Sequence, residues 1–308
     1  MTDCEYTRRI LDSYNKLGGI NYNEGHNLPS KLAISKIAEQ LLHLIFPGFF
    51  DDKVHQKNDI DFETQQIVCS LGIKLKRQIR KSLLHHMPEE ISEKDPNKYS
   101  EHVVDQFLLK IPEIREILQT DAEAAFNGDP AALSMDEVIV SYPFIEAITV
   151  QRLAHALYSY HIPLIPRIMT EWVHARTGMD LHPGAQIGTH FFIDHGTGTV
   201  LGETCEIGNH VKLYHNVGLV AKSLAAGQKL RGKKRHPKIE SRVTIYAGAT
   251  IVGGDTIIGE GSIIGGNVFL MDSVPSNSIV LYNEGRMDIQ RRRSISDKEP
   301  QSELNDLN

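Results

Sequence analysis
The sequence predicts an α+β protein in two parts, an α-helical N-terminal domain (residues 1–178) and a solenoid of short stacked strands (179–282). Two observations carry that prediction. Up to Gly178 apolar residues recur at three- and four-residue steps, the spacing of one helix face, and from Leu181 they recur every six. The length, 308 residues, accommodates about two domains.

Within the first part, Leu32, Ile34, Ile37, Leu41, Leu44 and Ile45 form an apolar stripe that Pro47-Gly48 terminates. Ile67, Leu71, Leu75, Ile79 and Leu83 predict a second helix, with Lys74, Lys76, Arg77, Arg80 and Lys81 on its solvated face. The polar run Pro88–Ser100 predicts a loop. Val104, Phe107, Leu108, Ile111, Ile114 and Leu118 predict a third helix. Further helices are expected over 144–160 and 165–176, the last ended by Gly178.

In the second part, Leu181, Ile187 and Ile193 are six apart. After a shift of two come Leu201, Ile207, Leu213 and Leu219; after a polar insertion at 220–234 come Ile239, Ile245 and Ile251; after a shift of one come Ile258, Ile264 and Leu270. Neither a helix nor a hairpin has this period. A fixed short period means stacked equivalent units, here three faces of about six residues per coil, with the aliphatic residues stacked inside. Residues 283–308, with Arg291-Arg292-Arg293 followed by acidic residues, read as a disordered tail.

Composition narrows the function classes. Hydrophobic residues make up 41% and charged residues 23%, the balance of a folded globular chain. The apolar run Leu41–Phe50 is broken by His43, Pro47 and Gly48, far short of the ~20 residues that cross a bilayer. The N-terminus has no basic stretch leading into an apolar core. Cys4, Cys69 and Cys205 do not make a disulfide framework. A net charge of −6 leaves no footprint for nucleic acid or an anionic membrane. The expectation is a cytoplasmic protein with neither partner.

Several motifs stand out in the repeats: Asp180-Leu181-His182-Pro183, Ile193-Asp194-His195-Gly196-Thr197-Gly198, Gly202-Glu203-Thr204 and Arg235-His236-Pro237-Lys238-Ile239. Asp129-Pro130-Ala131 precedes them. The repeat resembles the hexapeptide-repeat acyltransferases, and the motif set resembles serine O-acetyltransferase within that family. The resemblance covers roughly residues 120–280. It implies a left-handed parallel β-helix, and a homotrimer or a dimer of trimers with active sites between subunits. It also implies acetyl transfer from acetyl-CoA to the hydroxyl of L-serine, the first step of cysteine biosynthesis, with no metal.

The chemistry agrees with these residue types. A serine hydroxyl is a poor nucleophile and needs a base, and imidazole titrates near pH ~6.5, so His195 is the expected base. Asp180, fifteen residues upstream and about one coil away, is expected to orient the ring. By resemblance Asp129 and Asp194 bind the ammonium of serine, Arg235 its carboxylate, and His236 supports them. Ala247, Gly248, Gly265 and Gly266 match the places where pantetheine lies against the backbone. The insertion, with Lys222, Lys229, Arg231, Lys233 and Lys234, is expected to close over the cofactor phosphates.

The chain also departs from that pattern. The insertion is longer than usual, Tyr246 stands where a small residue is common, and a G-V-P-A-R closing motif is absent. The family's terminal isoleucine, which enters O-acetylserine sulfhydrylase, is replaced by Leu307-Asn308. Competing readings are a hexapeptide enzyme acetylating a sugar or antibiotic, and a zinc hydratase using His210 and His215, four residues between them, with His174.

Overall fold
The computed structural model describes residues 4–22, 27–50, 59–222 and 227–282. The disordered tail read over 283–308, and part of the insertion (223–226), lie outside them. Among the described residues α-helices come first: α1 (Glu5–Lys16), α2 (Lys31–Ile45), α3 (Asp59–His85), α4 (Pro96–Leu109), α5 (Ile111–Gly128), α6 (Met135–Ser141), α7 (Pro143–Tyr158) and α8 (Ile165–Thr177). Among the described residues, no helix is long and apolar enough to cross a membrane.

Two helical expectations are corrected. The run Pro88–Ser100 is not all loop, because α4 begins at Pro96. The Asp95 side chain caps it, accepting from the backbone N–H of Asn97 and Lys98 at 3.1 and 2.9 Å. The stripe from Val104 to Leu118 spans two helices, because Pro112 lacks the N–H that would continue α4 and instead sits in the first turn of α5.

Short parallel strands follow, fourteen among the described residues, in three sheets. The first holds β1 (Asp180–Leu181), β4 (Val200–Leu201), β7 (Gly218–Val220), β10 (Thr250–Val252) and β13 (Phe269–Leu270). The second holds β2 (Gln186–Ile187), β5 (Glu206–Ile207), β8 (Lys238–Ile239) and β11 (Ile257–Ile258). The third holds β3 (Phe192–Ile193), β6 (Lys212–Leu213), β9 (Thr244–Ile245), β12 (Ile263–Ile264) and β14 (Ile279–Val280). Through β10, each strand pairs with the one three later, so the chain visits the three faces in turn and climbs one rung per circuit.

Register turns the six-residue step into columns. Leu181, Leu201, Leu219, Ile251 and Leu270 align on the first face. Ile187, Ile207, Ile239 and Ile258 align on the second, and Ile193, Leu213, Ile245 and Ile264 on the third. These columns are the inner core, open only near its ends at Ile187 and Leu270. The two surplus residues between Ile193 and Leu201 are taken up in the turn from Asp194 to Thr199, where His195 has φ +60°.

The first rung has no strand before it, and α7 covers its carbonyls. Gln151 Nε2 donates to Ala185 O at 2.9 Å, and His155 Nδ1 lies 2.8 Å from Pro183 O. Arg152 donates to Ile187 O at 2.9 Å and Gly188 O at 2.6 Å, while its Nε lies 2.7 Å from Asp121 Oδ2 on α5. Asp121 is fully buried and also accepts from Phe191 N at 2.9 Å. Helices and coil therefore share one polar joint beneath the apolar contact of Phe144 with Phe191 and Phe192.

Candidate active site
The expected site residues fall on two edges of the coil. One edge is where the third sheet turns into the first. There the residues two past the inward aliphatics are His195, His215, Ala247 and Gly266, stacked rung over rung. The three steps from His195 to Gly266 span about 14 Å at strand spacing.

At the lower end of this edge Asp129, Asp194 and His195 come together. Asp129 terminates α5, and its Oδ1 accepts from Ala131 N at 2.8 Å, a turn set by Pro130. Its Oδ2 accepts from the Tyr142 hydroxyl at 2.5 Å. The hydroxyl, then the Ala131 amide, hold the Asp129 carboxyl below the usual carboxylate range; the same bond pushes the Tyr142 phenol up to about 12. Asp194 Oδ1 lies 3.7 Å from His195 Nε2, and the imidazole itself is 73% exposed. Lys212 Nζ lies 3.5 Å from Asp194 Oδ2 and donates to Gly128 O at 2.6 Å, between the rings of Phe192 and Tyr214. The patch thus holds two carboxylates and one resident ammonium, which leaves charge for one more cation.

Among the described residues, no hydrogen bond or ion pair joins Asp180 to this group. The carboxylate beside the imidazole is that of Asp194, whereas Asp180 lies 3.8 Å from Arg167 Nη1. The reason is the packing of α8, which places Arg167, Glu171 and His174 over β1. The ligating atoms of Glu171, His174 and Asp180 lie within 4.8 Å of one another, but the Arg167 guanidinium already reaches both carboxylates.

The other edge is where the first sheet turns into the second, one face away or about 15 Å at the rise of a strand. Register places Arg235 over Glu203 and His236 over Thr204. Arg235 is hydrogen-bonded to Glu203, whose other oxygen accepts from the Tyr158 hydroxyl at 2.7 Å. Burial would raise the Glu203 carboxyl, but the bonds from Tyr158 and Arg235 outweigh it and hold it low. Thr204 Oγ1 accepts from the backbone N–H of Arg235 and His236 at 2.9 and 3.1 Å, which leaves its proton for His236 Nδ1 at 2.9 Å. The His236 ring crosses Gly202 so closely that a Cβ there would lie 2.0 Å from it. Burial, then the neighbouring Arg235, pushes His236 down to about 4; burial, then Arg167, does the same to His182, whose Nδ1 accepts from Gly184 N at 3.0 Å.

The four small residues expected to meet the cofactor sit at the upper end of the His195 edge. Gly248 has φ +75°, and a Cβ there would lie 2.2 Å from Asn267 Oδ1, so coil stacking alone demands a glycine. Gly266 passes 3.2 Å from Ala247 O on the same test, and Gly265 3.0 Å from Val280 O. Tyr246 stacks on Tyr214 with centroids 4.9 Å apart. The three histidines of the zinc reading stand apart within the chain. His210 stacks on His190 at a third edge, His215 lies on the His195 edge, and His174 groups with Glu171 and Asp180.

Sequence reasoning missed Tyr142 and Lys212, which no motif marks. It quoted Glu203 and His182 within motifs without giving them roles. The one available signal was the polar residue left on an outward position of an otherwise small corner.

Comparison with known proteins places the chain in a family. No family model matches the chain. A serine acetyltransferase of Synechococcus elongatus, encoded on a plasmid, is 43% identical over 269 residues, covering 85% of this chain and 84% of that protein. A serine acetyltransferase of Bacillus licheniformis is 40% identical over 180 residues, 58% of this chain and 80% of the relative. Among solved structures, serine acetyltransferase isoform 3 of Entamoeba histolytica, in complex with cysteine, superposes with a TM-score of 0.71 at 30% identity, over 93% of this chain and 94% of that one. On sequence identity across most of both chains, and on the shared fold, the chain belongs to the serine acetyltransferase family.

Proposed function
We propose that this chain transfers the acetyl group of acetyl-CoA to the hydroxyl of L-serine, giving O-acetyl-L-serine and CoA. The observation that carries the reading is the edge on which Asp129, Asp194 and His195 converge and which continues, rung by rung, to Ala247 and Gly266. The carboxylates offer a seat for the substrate ammonium. His195 takes the hydroxyl proton as the oxygen attacks the thioester carbonyl, and the imidazolium returns that proton to sulfur as the C–S bond breaks. Asp194 is the carboxylate beside the ring and steadies its positive charge. Asp180 serves the imidazole only once Arg167 releases it.

Arg235 and His236, on the other edge, take the substrate carboxylate. One chain cannot close both edges on one amino acid, since a coil face separates them. The site is therefore built between copies, as three left-handed coils packed around a threefold axis, working in the cytoplasm. Acetyl-CoA lies along the His195 edge with Ala247, Gly248, Gly265 and Gly266 beneath it, and no step uses a metal.

The test is release of CoA thiol from acetyl-CoA with L-serine, L-homoserine and amino sugars as acceptors. L-serine is expected to be preferred, and His195→Ala to cost at least ~100-fold in kcat, the low end for loss of a general base. A preference for a sugar, or an active His195→Ala variant, would overturn the reading.

A further inference from the structure
Beside the first rung, on the face of the coil opposite the His195 edge, α5, α7 and the second sheet border a cavity of about 460 Å³. That volume lies in the range of small-molecule sites. None of the residues assigned above to acetyl transfer lines it. Part of its wall is apolar and uncovered. Ile187, at the open end of the second column, is only half-buried there, and Ile114 and Ile117 on α5 and Ala156 on α7 complete the apolar lining.

The polar groups on the α7 side are acceptors. Gln151 is 1% exposed, and its Nε2 donates to Ala185 O at 2.9 Å and to His182 O at 3.3 Å. His155 Nδ1 lies 2.8 Å from Pro183 O; a carbonyl only accepts, so in the neutral ring the proton is on Nδ1 and Nε2 is an acceptor. Neither Gln151 Oε1 nor His155 Nε2 meets a donor among the described residues, and neither is sealed from solvent. Polar atoms in such half-closed places are ordinarily paired. Arg152 also lines the cavity, but its guanidinium is spent on Asp121 and on the carbonyls of Ile187 and Gly188. At the exposed rim Lys110 and Glu113 stand three residues apart at the start of α5, one charge of each sign.

We propose that this cavity is a binding site for an aliphatic α-amino acid, separate from the serine site. An ammonium group carries three donors, and the cavity offers it three acceptors in Gln151 Oε1, His155 Nε2 and the Glu113 carboxylate. A carboxylate in that place would set acceptors against acceptors. The ligand carboxylate instead faces Lys110, which a simple amine would leave repelling its own head group. The side chain covers Ile187 and Ile117, which a serine side chain is too short and too polar to do. A nucleotide is excluded by charge, since Lys110 is the one lining cation not already engaged among the described residues. The site goes beyond acetyl transfer and does not depend on it.

The experiment is a calorimetric titration of the full chain with L-leucine, in saturating L-serine so that the transferase site is filled. L-leucine is expected to bind once per chain and to raise the thermal midpoint by a few degrees at about 100 times its Kd. Two analogues read the head group: 3-methylbutylamine lacks the carboxylate and 4-methylpentanoate lacks the ammonium. Each is expected to bind at least ~10-fold more weakly, the loss of one charge-assisted hydrogen bond. Glu113→Gln is expected to weaken L-leucine about tenfold, and Ile117→Trp, which fills the cavity, to abolish its binding, both with kcat for serine within about twofold. The site is overturned if L-leucine gives neither heat nor a rise in midpoint, or if L-serine displaces it. Equal binding of 4-methylpentanoate, or undiminished binding to the variants, overturns it too. Should Ile117→Trp lose its cooperative thermal transition, the exposed rim variants Glu113→Gln and Lys110→Met decide in its place. The titration reads no turnover, so a wild-type protein that fails to acetylate serine ends the reading of the previous section and leaves this one standing.

Discussion

His182 and His236 are each held in one tautomer by a hydrogen bond that ends on Nδ1, from Gly184 N and from Thr204 respectively. Burial penalises the charged form of both rings, and Arg167 beside His182 and Arg235 beside His236 add repulsion, which is why both are pushed down to about 4. The unfolded chain binds those protons near pH ~6.5. Stability from the two rings is thus complete above that pH and is lost as pH falls toward 4, because the unfolded state gains protons that the folded state refuses. The thermal midpoint is expected to drop by a few degrees between pH 7 and pH 5, before most carboxylates titrate, and His236→Asn to flatten part of that slope. A midpoint unchanged over that interval would remove the account. Of the residues around these rings, Arg235 and His236 stood out because the motif names them. Glu203 stood in a motif without a role and Tyr158 in none, because their pairing depends on where α7 lays its last turn against the coil, and no local pattern encodes that.

Among the elements, α7 joins the two halves through side-chain hydrogen bonds to the first rung, and Arg152 is one of its points of attachment. Arg152 satisfies the buried Asp121 carboxylate and two carbonyls of the first rung together. Arg152→Ala leaves a charge without its partner in the interior, and an expected loss of about 3–5 kcal/mol is read from urea unfolding. A change under about 1 kcal/mol would show that water reaches the joint. The strands were far more legible than this joint. An inward coil position tolerates only an aliphatic side chain of fixed reach, so Leu181 to Leu270 announced their columns by spacing alone. Helix ends were harder. The polarity of Pro88–Ser100 concealed a start at Pro96, although Asp95 before a proline was the cue, and Pro112 divided one apolar stripe into two helices. The expected Asp180–His195 contact failed for a related reason, since α8 brings Arg167 to Asp180 from outside the repeat.

At the scale of the whole molecule, the two half-sites stand on different edges of one prism. If serine is gripped by both, a chain disabled on one edge remains whole on the other. His195→Ala and Arg235→Ala, each inactive alone, are therefore expected to regain about a quarter of wild-type activity when co-expressed in equal amounts and assembled at random into threefold rings. That figure is the chance that two neighbours each contribute an intact edge. No recovery in mixed assemblies of confirmed composition would place the complete site within a single chain. The stacked corner from His195 to Gly266 has a last consequence. Its length is a whole number of strand spacings, so the corner acts as a ruler graduated in steps of ~4.8 Å. No change of rotamer moves those marks. If the acyl donor lies along this corner, one with a longer or shorter arm can be matched only by gaining or losing an entire coil, which would tie the chemistry of the thioester to the counting of repeats.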